Sequence, residues 1–176
     1  MQRINVVGTT ASGKSTFAIT LAKRLGVPCV ELDGLHWEPG WTEAPEAVFR
    51  ERVAAAIGGE RWVVDGNYSS IRDLVWGRAD TVVWLDYPLP TILLRFLRRT
   101  IRRIARREEL WAGNQERLAT QFFSRDSLLL WILSTYRRRR REYPRLLAEH
   151  AQLTAVRLRS PREAAEWLAA VRPDGG

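Results

Sequence analysis

One short stretch near the start of the chain constrains its fold more than any other feature: Gly8 to Thr16, GTTASGKST. Gly8, Gly13, Lys14 and Ser15 satisfy the pattern G-x-x-x-x-G-K-S, with an apolar run before it and a helix-forming run after it. Glycines let the backbone turn its N–H groups around an anion, and the following helix adds its positive end. The pattern predicts a loop that holds the phosphates of a nucleoside triphosphate.

The residue types in this loop predict separate roles. We expect Lys14 to reach the β- and γ-phosphates and the Ser15 hydroxyl to face Mg²⁺. The backbone of the whole stretch is the predicted nucleotide site: Gly8, Thr9, Thr10, Ala11, Ser12, Gly13, Lys14, Ser15 and Thr16.

A second candidate metal ligand ends another apolar run. Asp65 follows Trp62, Val63 and Val64, and the carboxyl ends of parallel strands meet at the ligand-binding edge of a sheet. We expect Asp65 to hold Mg²⁺ directly or through water. The alternative is an Asp that only caps the following turn.

The order of apolar runs and breakers predicts an α/β fold, with a parallel sheet covered by helices on both faces. The predicted strands are residues 3–7, 27–32, 61–64, 81–85 and 153–158. The predicted helices are residues 14–26, 44–57, 89–107, 127–150 and 161–171, with Pro144 expected to kink or break the fourth. Residues 108–116 are expected to form a loop or a movable insert.

Composition limits the class of protein and its partners. The chain of 176 residues carries a net charge of +8, and all but two of its 28 basic residues are arginines. This surplus favours an anionic partner, although arginine usage by itself does not separate a nucleotide from a nucleic acid. Cys29 is the sole cysteine, so no internal disulfide forms and we expect a cytoplasmic protein. No apolar run reaches the ~18 residues of a membrane span, so no membrane partner is expected.

Four stretches give the chain a family likeness: GTTASGKST, LDGLHWEPGW, WVVDGNYS and the last strand with its helix. Across nearly all its length it resembles the adenylate-kinase-like P-loop kinases. Within them it is most similar to the bacterial topology modulation proteins, or adenylate-kinase-related kinases. Asp65-Gly66 matches the Asp-Gly of adenylate kinase, whereas Asn67, Tyr68 and Ser69 stand where that enzyme has phenylalanine, proline and arginine. Arg72 is a candidate replacement for that arginine.

The resemblance implies a three-layer P-loop NTPase fold in one domain spanning residues 1–176. It implies a five-stranded parallel sheet of order 2-3-1-4-5, an acceptor arm at about residues 34–58 and a short Arg-rich lid at about residues 100–125. It also implies ATP and Mg²⁺ as cofactors. Arg95 and Arg99, following Pro88, match the lid-hinge arginines that hold ATP in that superfamily.

The predicted helix 89–107 carries two stripes at helical spacing. Leu94, Leu97, Ile101 and Ile104 form an apolar stripe that we expect to pack, and Arg95, Arg98, Arg99, Arg102 and Arg106 gather on another side. Arginine suits a transferring phosphoryl group because its fork donates two N–H bonds and stays charged. We therefore expect Arg95 or Arg99 on the triphosphate; the alternative is a solvated charged face.

The five arginines 137–141 require a different interpretation. Consecutive helical residues point to all sides, so only one or two of them can reach a single ligand. The others are expected to be solvated or to touch acidic partners or nucleic acid.

The acceptor side is predicted from residues after the second strand. Asp33 would orient or deprotonate a hydroxyl acceptor, whereas a phosphate acceptor needs no base; the alternative is a turn-forming Asp-Gly. Trp37 and Trp41 would form two walls of a slot for a ring, or else a hydrophobic cover for the arm. Asn67 and Tyr68 would contact the same acceptor. His36 has no second metal ligand at suitable spacing, so zinc is not expected.

These features predict a Mg²⁺-dependent phosphotransferase that moves the γ-phosphoryl of ATP to a small acceptor. The expected catalytic residues are Lys14, Arg95, Arg99 and Asp33. The resemblance and the Arg-rich lid favour a nucleotide or nucleoside as acceptor, and with a phosphate as the reacting group Asp33→Asn is expected to be mild and Arg99→Ala severe. The alternative is a nucleotide-dependent regulatory protein that binds nucleic acid weakly and nonspecifically through its arginines.

Overall fold

The structure is a computed structural model that describes residues 1–106 and 128–172. The strands are β1 (Arg3–Gly8), β2 (Cys29–Glu31), β3 (Trp37–Glu38), β4 (Thr42–Glu43), β5 (Trp62–Asp65), β6 (Thr81–Leu85) and β7 (Thr154–Leu158). The helices are α1 (Lys14–Leu25), α2 (Leu32–His36), α3 (Glu46–Ala56), α4 (Arg72–Arg78), α5 (Leu89–Arg106), α6 (Leu128–Glu149) and α7 (Pro161–Ala170). Short 3₁₀ turns span Pro39–Trp41 and Ser69–Ile71.

Five of the strands form one sheet in the order β2-β5-β1-β6-β7, and every neighbouring pair is parallel. Counting only these five strands along the chain, the order is 2-3-1-4-5, which confirms the predicted topology. Strands β3 and β4 form a separate antiparallel hairpin in the predicted acceptor arm.

Alternate strand residues build two apolar layers, one on each face of the sheet. Ile4 and Val6 of β1 pack with α1, α5 and α7, whereas Val7 packs with α3 and α4 on the opposite face. This alternation follows from the two-residue period of a strand. The fold therefore has three layers, as predicted.

Helix α6 contributes to both layers. Ile132 belongs to the core with α1 and α5, and Tyr143, three turns later, belongs to the core with α3 and α4. The helix thus passes from one face of the sheet to the other, and its middle turn lies beside the end of β1. Pro144 lies within the helix and does not break it, contrary to one predicted outcome. Burial of the adjacent Tyr143 at 2% exposure helps to offset the lost backbone hydrogen bond, a cost of roughly 3 kcal/mol.

The expected packing of α5 is wrong. Leu94, Leu97 and Ile101 are exposed, whereas Ile92, Phe96 and Thr100 are buried. Both stripes have helical spacing, and Ile92 and Phe96 of the second stripe belong to the same core cluster as residues of α1 and β6. Ile104 and the greater part of the predicted lid lie outside the residues whose side chains the structure describes. Among the described helices, none is long and apolar enough to cross a bilayer.

Candidate active site

The predicted phosphate loop joins β1 to α1 at the carboxyl edge of the sheet. Ala11 and Gly13 adopt left-handed backbone angles, with φ of 64° and 90°, and the N–H of Ser12 donates to the carbonyl of Thr9 over 3.0 Å. Helix α1 has no acidic residue in its first turn and no side-chain cap at Gly13. Its first N–H groups and its dipole are therefore left for an anionic ligand.

Gly13 is required for two reasons. Its φ of 90° disfavours any residue with a Cβ, and a Cβ there would lie 2.6 Å from Nη1 of Arg95. Arg95 donates from Nη1 to the carbonyl of Ser12 over 2.7 Å and lies 5.2 Å from the ring centroid of Tyr87. The structure thus places Arg95 against the loop, bound to a backbone carbonyl.

Arg99 lies one turn further along α5. Its guanidinium is 5.9 Å from the ring centroid of Phe96, on the buried side of the helix. The predicted contact of Arg99 with a triphosphate stays a prediction.

The first residue of the loop is held by two side chains that come from distant parts of the chain. Arg139 donates from Nη1 to the carbonyl of Gly8 over 3.3 Å. With the Asn67 amide oriented by its hydrogen-bond partners, its nitrogen donates to the same carbonyl over 3.2 Å. Its oxygen then accepts from Arg139 over 3.1 Å and from the Tyr143 hydroxyl over 3.2 Å. Arg139 belongs to the arginine run, and nothing in the sequence shows which member of that run would reach the loop.

Asp65 ends β5 beside the loop, as predicted for a magnesium ligand. It is 4% exposed, it accepts a hydrogen bond from the Ser15 hydroxyl, and its Oδ1 has no hydrogen-bond partner among the described residues. Burial raises the pKa of Asp65, while the Lys14 ammonium and the Ser15 hydroxyl lower it in part. Lys14, Ser15 and Asp65 therefore meet at one point.

A buried carboxylate oxygen without a partner is the feature that a hard cation would satisfy. Mg²⁺ takes one or two protein oxygens and completes its shell with water and substrate phosphate. Ser15 and Asp65 fit that requirement. No cluster of three or more His, Cys, Asp or Glu side chains suited to a metal occurs in the part of the chain that the structure describes, and this mode of Mg²⁺ binding needs none.

Asp33 lies in the first turn of α2, directly after β2. It accepts a hydrogen bond of 2.6 Å from the Tyr68 hydroxyl, and the Trp37 indole N–H donates to the same hydroxyl. Burial and the Asp33 carboxylate raise the pKa of Tyr68, so its hydroxyl stays a donor. Asp33 is also near enough to Asp65 to raise the pKa of that carboxyl. The predicted acceptor residue and the predicted metal ligand are therefore close enough to interact electrostatically.

Glu31, which sequence reasoning missed, belongs to the same acidic edge. It pairs with Asp65 across β2 and β5. Burial raises the pKa of Glu31, and the carboxylates of Asp65 and Asp33 raise it further. Glu31 can be recognised as a site residue only from its pairing with Asp65, and that pairing requires the order of the strands to be known.

The two arm tryptophans contact one another. Trp37 and Trp41 lie edge to face, with ring centroids 5.5 Å apart, so no ring fits between them. The slot between these rings is therefore not formed, and the alternative of a hydrophobic cover describes the pair better. His36, buried behind them, packs against the rings of Trp37, Phe49 and Tyr68.

A small cavity of about 10 Å³, room for about one water molecule, lies beside Tyr68 between α4 and the strand ends. Its lining residues are Asn5, Val7, Leu32, Gly66, Asn67, Tyr68, Ile71, Arg72, Val75, Trp76 and Tyr143. The Arg72 guanidinium lies 5.5 Å from the Trp76 ring centroid and makes no hydrogen bond or ion pair within residues 1–106 and 128–172. Its charge acts on both Tyr143 and Arg139. The cavity is therefore aromatic, amide-lined and positive on one side.

No protein-family model matches the chain, and no curated protein sequence matches it. Solved structures do. A shikimate kinase from Bacteroides thetaiotaomicron aligns with a TM-score of 0.56 at 15% identity, over 96% of this chain and 94% of that one. A gluconokinase from Sinorhizobium meliloti 1021 aligns with a TM-score of 0.53 at 22% identity, over 96% and 91%. A shikimate kinase from Aquifex aeolicus aligns with a TM-score of 0.55 at 17% identity, over 96% and 94%.

The chain has a P-loop kinase fold. The strand order, the loop between β1 and α1 and the near-complete alignments agree on this point. At these identities the likeness concerns the fold, and the finer grouping with adenylate-kinase-related proteins stays a prediction.

Proposed function

We propose that this protein is a Mg²⁺-dependent phosphotransferase that moves the γ-phosphoryl of ATP to a hydroxyl group of a small molecule. The loop with its glycine backbone angles supports the donor half of the proposal. The convergence of Lys14, Ser15 and Asp65 supports the position of the metal and of the transferring phosphoryl.

One observation carries the choice of acceptor: Asp33 accepts a hydrogen bond from Tyr68 and lies close to Asp65. A phosphate acceptor is already ionised and would be repelled by this carboxylate, whereas a hydroxyl acceptor gains a group that takes its proton. Tyr68, held protonated, fixes the orientation of the carboxylate. This arrangement favours a hydroxyl over a phosphate as the reacting group.

The charges near the cavity favour an acceptor that also carries a negative group. The positive charge of Arg72 lowers the pKa of Arg139, and the Arg72 guanidinium makes no ion pair within the described residues. A nucleotide offers both a sugar hydroxyl and a phosphate, and it agrees with the acceptor class expected from the sequence. The similar kinases named for shikimate and gluconate suggest a small hydroxy acid as the second acceptor class to test.

The chemistry needs no covalent intermediate with the protein. Lys14 and the loop N–H groups hold the triphosphate, and Asp33 receives the acceptor proton as the new phosphate ester forms. Arg95 stabilises the loop and lies close to the charge that develops during transfer. Bound Mg²⁺, held through Ser15 and Asp65, would neutralise charge on the β- and γ-phosphates.

An acceptor screen tests the proposal. ADP formation is measured with ATP and Mg²⁺ over nucleosides, nucleoside monophosphates, sugars and small hydroxy acids. We expect acceptor-dependent ADP formation that Lys14→Ala abolishes and Lys23→Ala retains. Acceptor-independent ATP hydrolysis, or no nucleotide binding, would contradict the proposal.

The alternative function, nucleic-acid binding through the arginine run, rests on fewer residues than the sequence suggests. Arg139 is bound to the loop and Arg140 is paired with Asp86, so two members of the run already have partners within the protein. Arg140 is itself 44% exposed, and Arg137, Arg138 and Arg141 are exposed as well. Affinity for duplex DNA, measured at low and near-physiological salt, distinguishes the two functions. Tight binding that survives salt would favour the regulatory function.

A further inference from the structure

Asp86, the residue directly after β6, is a buried carboxylate outside the proposed reaction site. Its side chain is 2% exposed, and each oxygen has its own arginine. Arg157 of β7 donates to Oδ2 from Nε over 2.9 Å and from Nη2 over 2.5 Å. Arg140 of α6 approaches Oδ1 with Nε at 3.0 Å. A carboxylate is retained at such a position only when it is fully paired.

The two ion pairs of Asp86 have different structural consequences. β6 and β7 are already joined by a ladder running from Thr81 and Thr154 to Leu85 and Leu158, so the pair with Arg157 reinforces an existing contact. The pair with Arg140 instead joins helix α6 to the end of the sheet. The Asp86–Arg140 pair restricts rotation of α6 about its own axis. It does so at the turn where the helix passes from one face of the sheet to the other.

That turn also carries Arg139, the residue bound to the Gly8 carbonyl. Burial lowers the pKa of the Arg139 guanidinium, and the charges of Arg138 and Arg72 lower it further, while Tyr143 and Glu142 act in the opposite direction. Arg140, the next residue along the same helical turn, ties the helix to Asp86, a buried side chain that is itself bound by Arg157 of β7.

The strand register connects the tether to the loop. Leu85, just before Asp86, pairs with Gly8 in the sheet. Asp86 and the start of the phosphate loop are therefore neighbours on adjacent strands, and α6 spans them with consecutive arginines. A shift of the helix by a fraction of a turn would separate Arg139 from Gly8.

We propose that the Asp86–Arg140 ion pair is a positioning device that holds Arg139 on the Gly8 carbonyl and so fixes the phosphate loop for nucleotide binding. The proposal rests on the proposed function in taking the loop as the nucleotide site. Arg140 acts through Arg139 and needs no contact with the nucleotide.

The chain offers a matched control one residue before Arg139. Arg138 carries the same charge on the same helix turn, but its partner Glu142 is 49% exposed and 3.8 Å away. Arg138→Gln removes one positive charge without loosening the contact between helix and sheet. Arg140→Gln removes the same charge and the tether, and it leaves Asp86 paired with Arg157.

The test is a double-mutant cycle on the dissociation constant for ATP with Mg²⁺. We expect Arg140→Gln to weaken binding about tenfold, the size of one charged hydrogen bond. Arg138→Gln is expected to change binding less than about twofold, as for an exposed pair. In the Arg139→Gln background, Arg140→Gln should add less than about twofold, because its route to the loop is already lost. Arg140→Lys, which can retain the ion pair, should recover most of the affinity.

An equal and additive effect of Arg140→Gln in both backgrounds would overturn the proposal, as would equal effects of Arg138→Gln and Arg140→Gln. A second readout separates this proposal from the proposed function. Amide hydrogen exchange in a peptide covering Gly8 to Lys14, without nucleotide, should rise in Arg140→Gln and not in Arg138→Gln. Unchanged exchange contradicts the positioning device even if the enzyme is active, and raised exchange supports it even if no acceptor is found.

Discussion

The phosphate loop and the acceptor side meet at the same edge of the sheet, but different interactions build them. The loop is defined by backbone: left-handed angles at Ala11 and Gly13, and carbonyls held by Arg95 and Arg139. The acceptor side is defined by side chains, chiefly the Trp37–Tyr68–Asp33 hydrogen bonds. A required backbone conformation restricts certain positions to glycine and so produces a recognisable sequence motif, whereas a similar set of side-chain contacts can be formed by many different sequences. The donor substrate is therefore easier to infer than the acceptor.

The largest expected effect separates the two halves directly. Lys14→Ala should lower phosphoryl transfer by at least about 10²–10³-fold, because no other group replaces its charge on the developing phosphoryl. Acceptor binding should survive. Lys23, exposed in the last turn of α1, provides the control. Steady-state rates and a thermal melt check the prediction, and a folded Lys14→Ala protein with full activity would contradict the donor-site assignment.

The next effect concerns the acceptor half. Asp33→Asn should lower kcat by about 10²–10⁴-fold with a hydroxyl acceptor, the usual cost of losing a general base. Asparagine keeps an oxygen for Tyr68, so binding should change little. Glu46→Gln, an exposed carboxylate change on the arm, is the control. A near-normal kcat in Asp33→Asn would instead indicate a phosphate acceptor, as a nucleoside monophosphate kinase would have.

A third comparison uses two glycines at opposite ends of α1. Gly13→Ala combines a φ of 90° with a Cβ 2.6 Å from Arg95, whereas Gly26→Ala combines a φ of 65° with open space. Each should cost roughly 1–2 kcal/mol of stability through left-handed backbone strain. Only Gly13→Ala should also weaken ATP binding, by about tenfold or more, since it displaces Arg95 from Ser12. Denaturant titration and ATP titration check the two parts, and equal ATP affinities would show that the loop tolerates the change.

The difference between features set by the backbone and features set by side-chain packing also explains how much of the structure the sequence predicts. All five strands of the sheet and the loop are predicted, because glycine spacing and apolar runs record backbone geometry. The order of the strands was expected only from the family resemblance, and the structure confirms it. The exposure of Leu94 and Leu97 was not predictable, because α5 carries two apolar stripes and only the tertiary contacts choose between them. The sequence does not show that Arg139, one of five consecutive arginines, is the one that contacts the loop. That contact depends on where α6 passes the end of the sheet.

The smallest expected effect of a substitution is that of Asp65→Asn on the reactivity of Cys29, the first residue of β2. Burial, with Asp65 and Glu31, raises the pKa of its thiol to about 11. At pH 8 the thiol is therefore protonated, and alkylation should be about 100-fold slower than for free cysteine. Asp65→Asn removes one of the charges and should speed alkylation by about threefold. Rapid alkylation of the native protein would show that the acidic edge is more open than described.

The identity of the phosphorylated product tests the central claim most directly. ATP labelled in the γ-phosphate is incubated with Mg²⁺, the wild-type protein or Asp33→Asn, and the best acceptor of the screen, and the labelled product is isolated. We predict an acid-stable phosphate ester on a hydroxyl of an acceptor that also carries a negative group, formed by wild type and strongly reduced in Asp33→Asn. Label recovered as an acid-labile phosphoanhydride, or only as inorganic phosphate, would contradict the account.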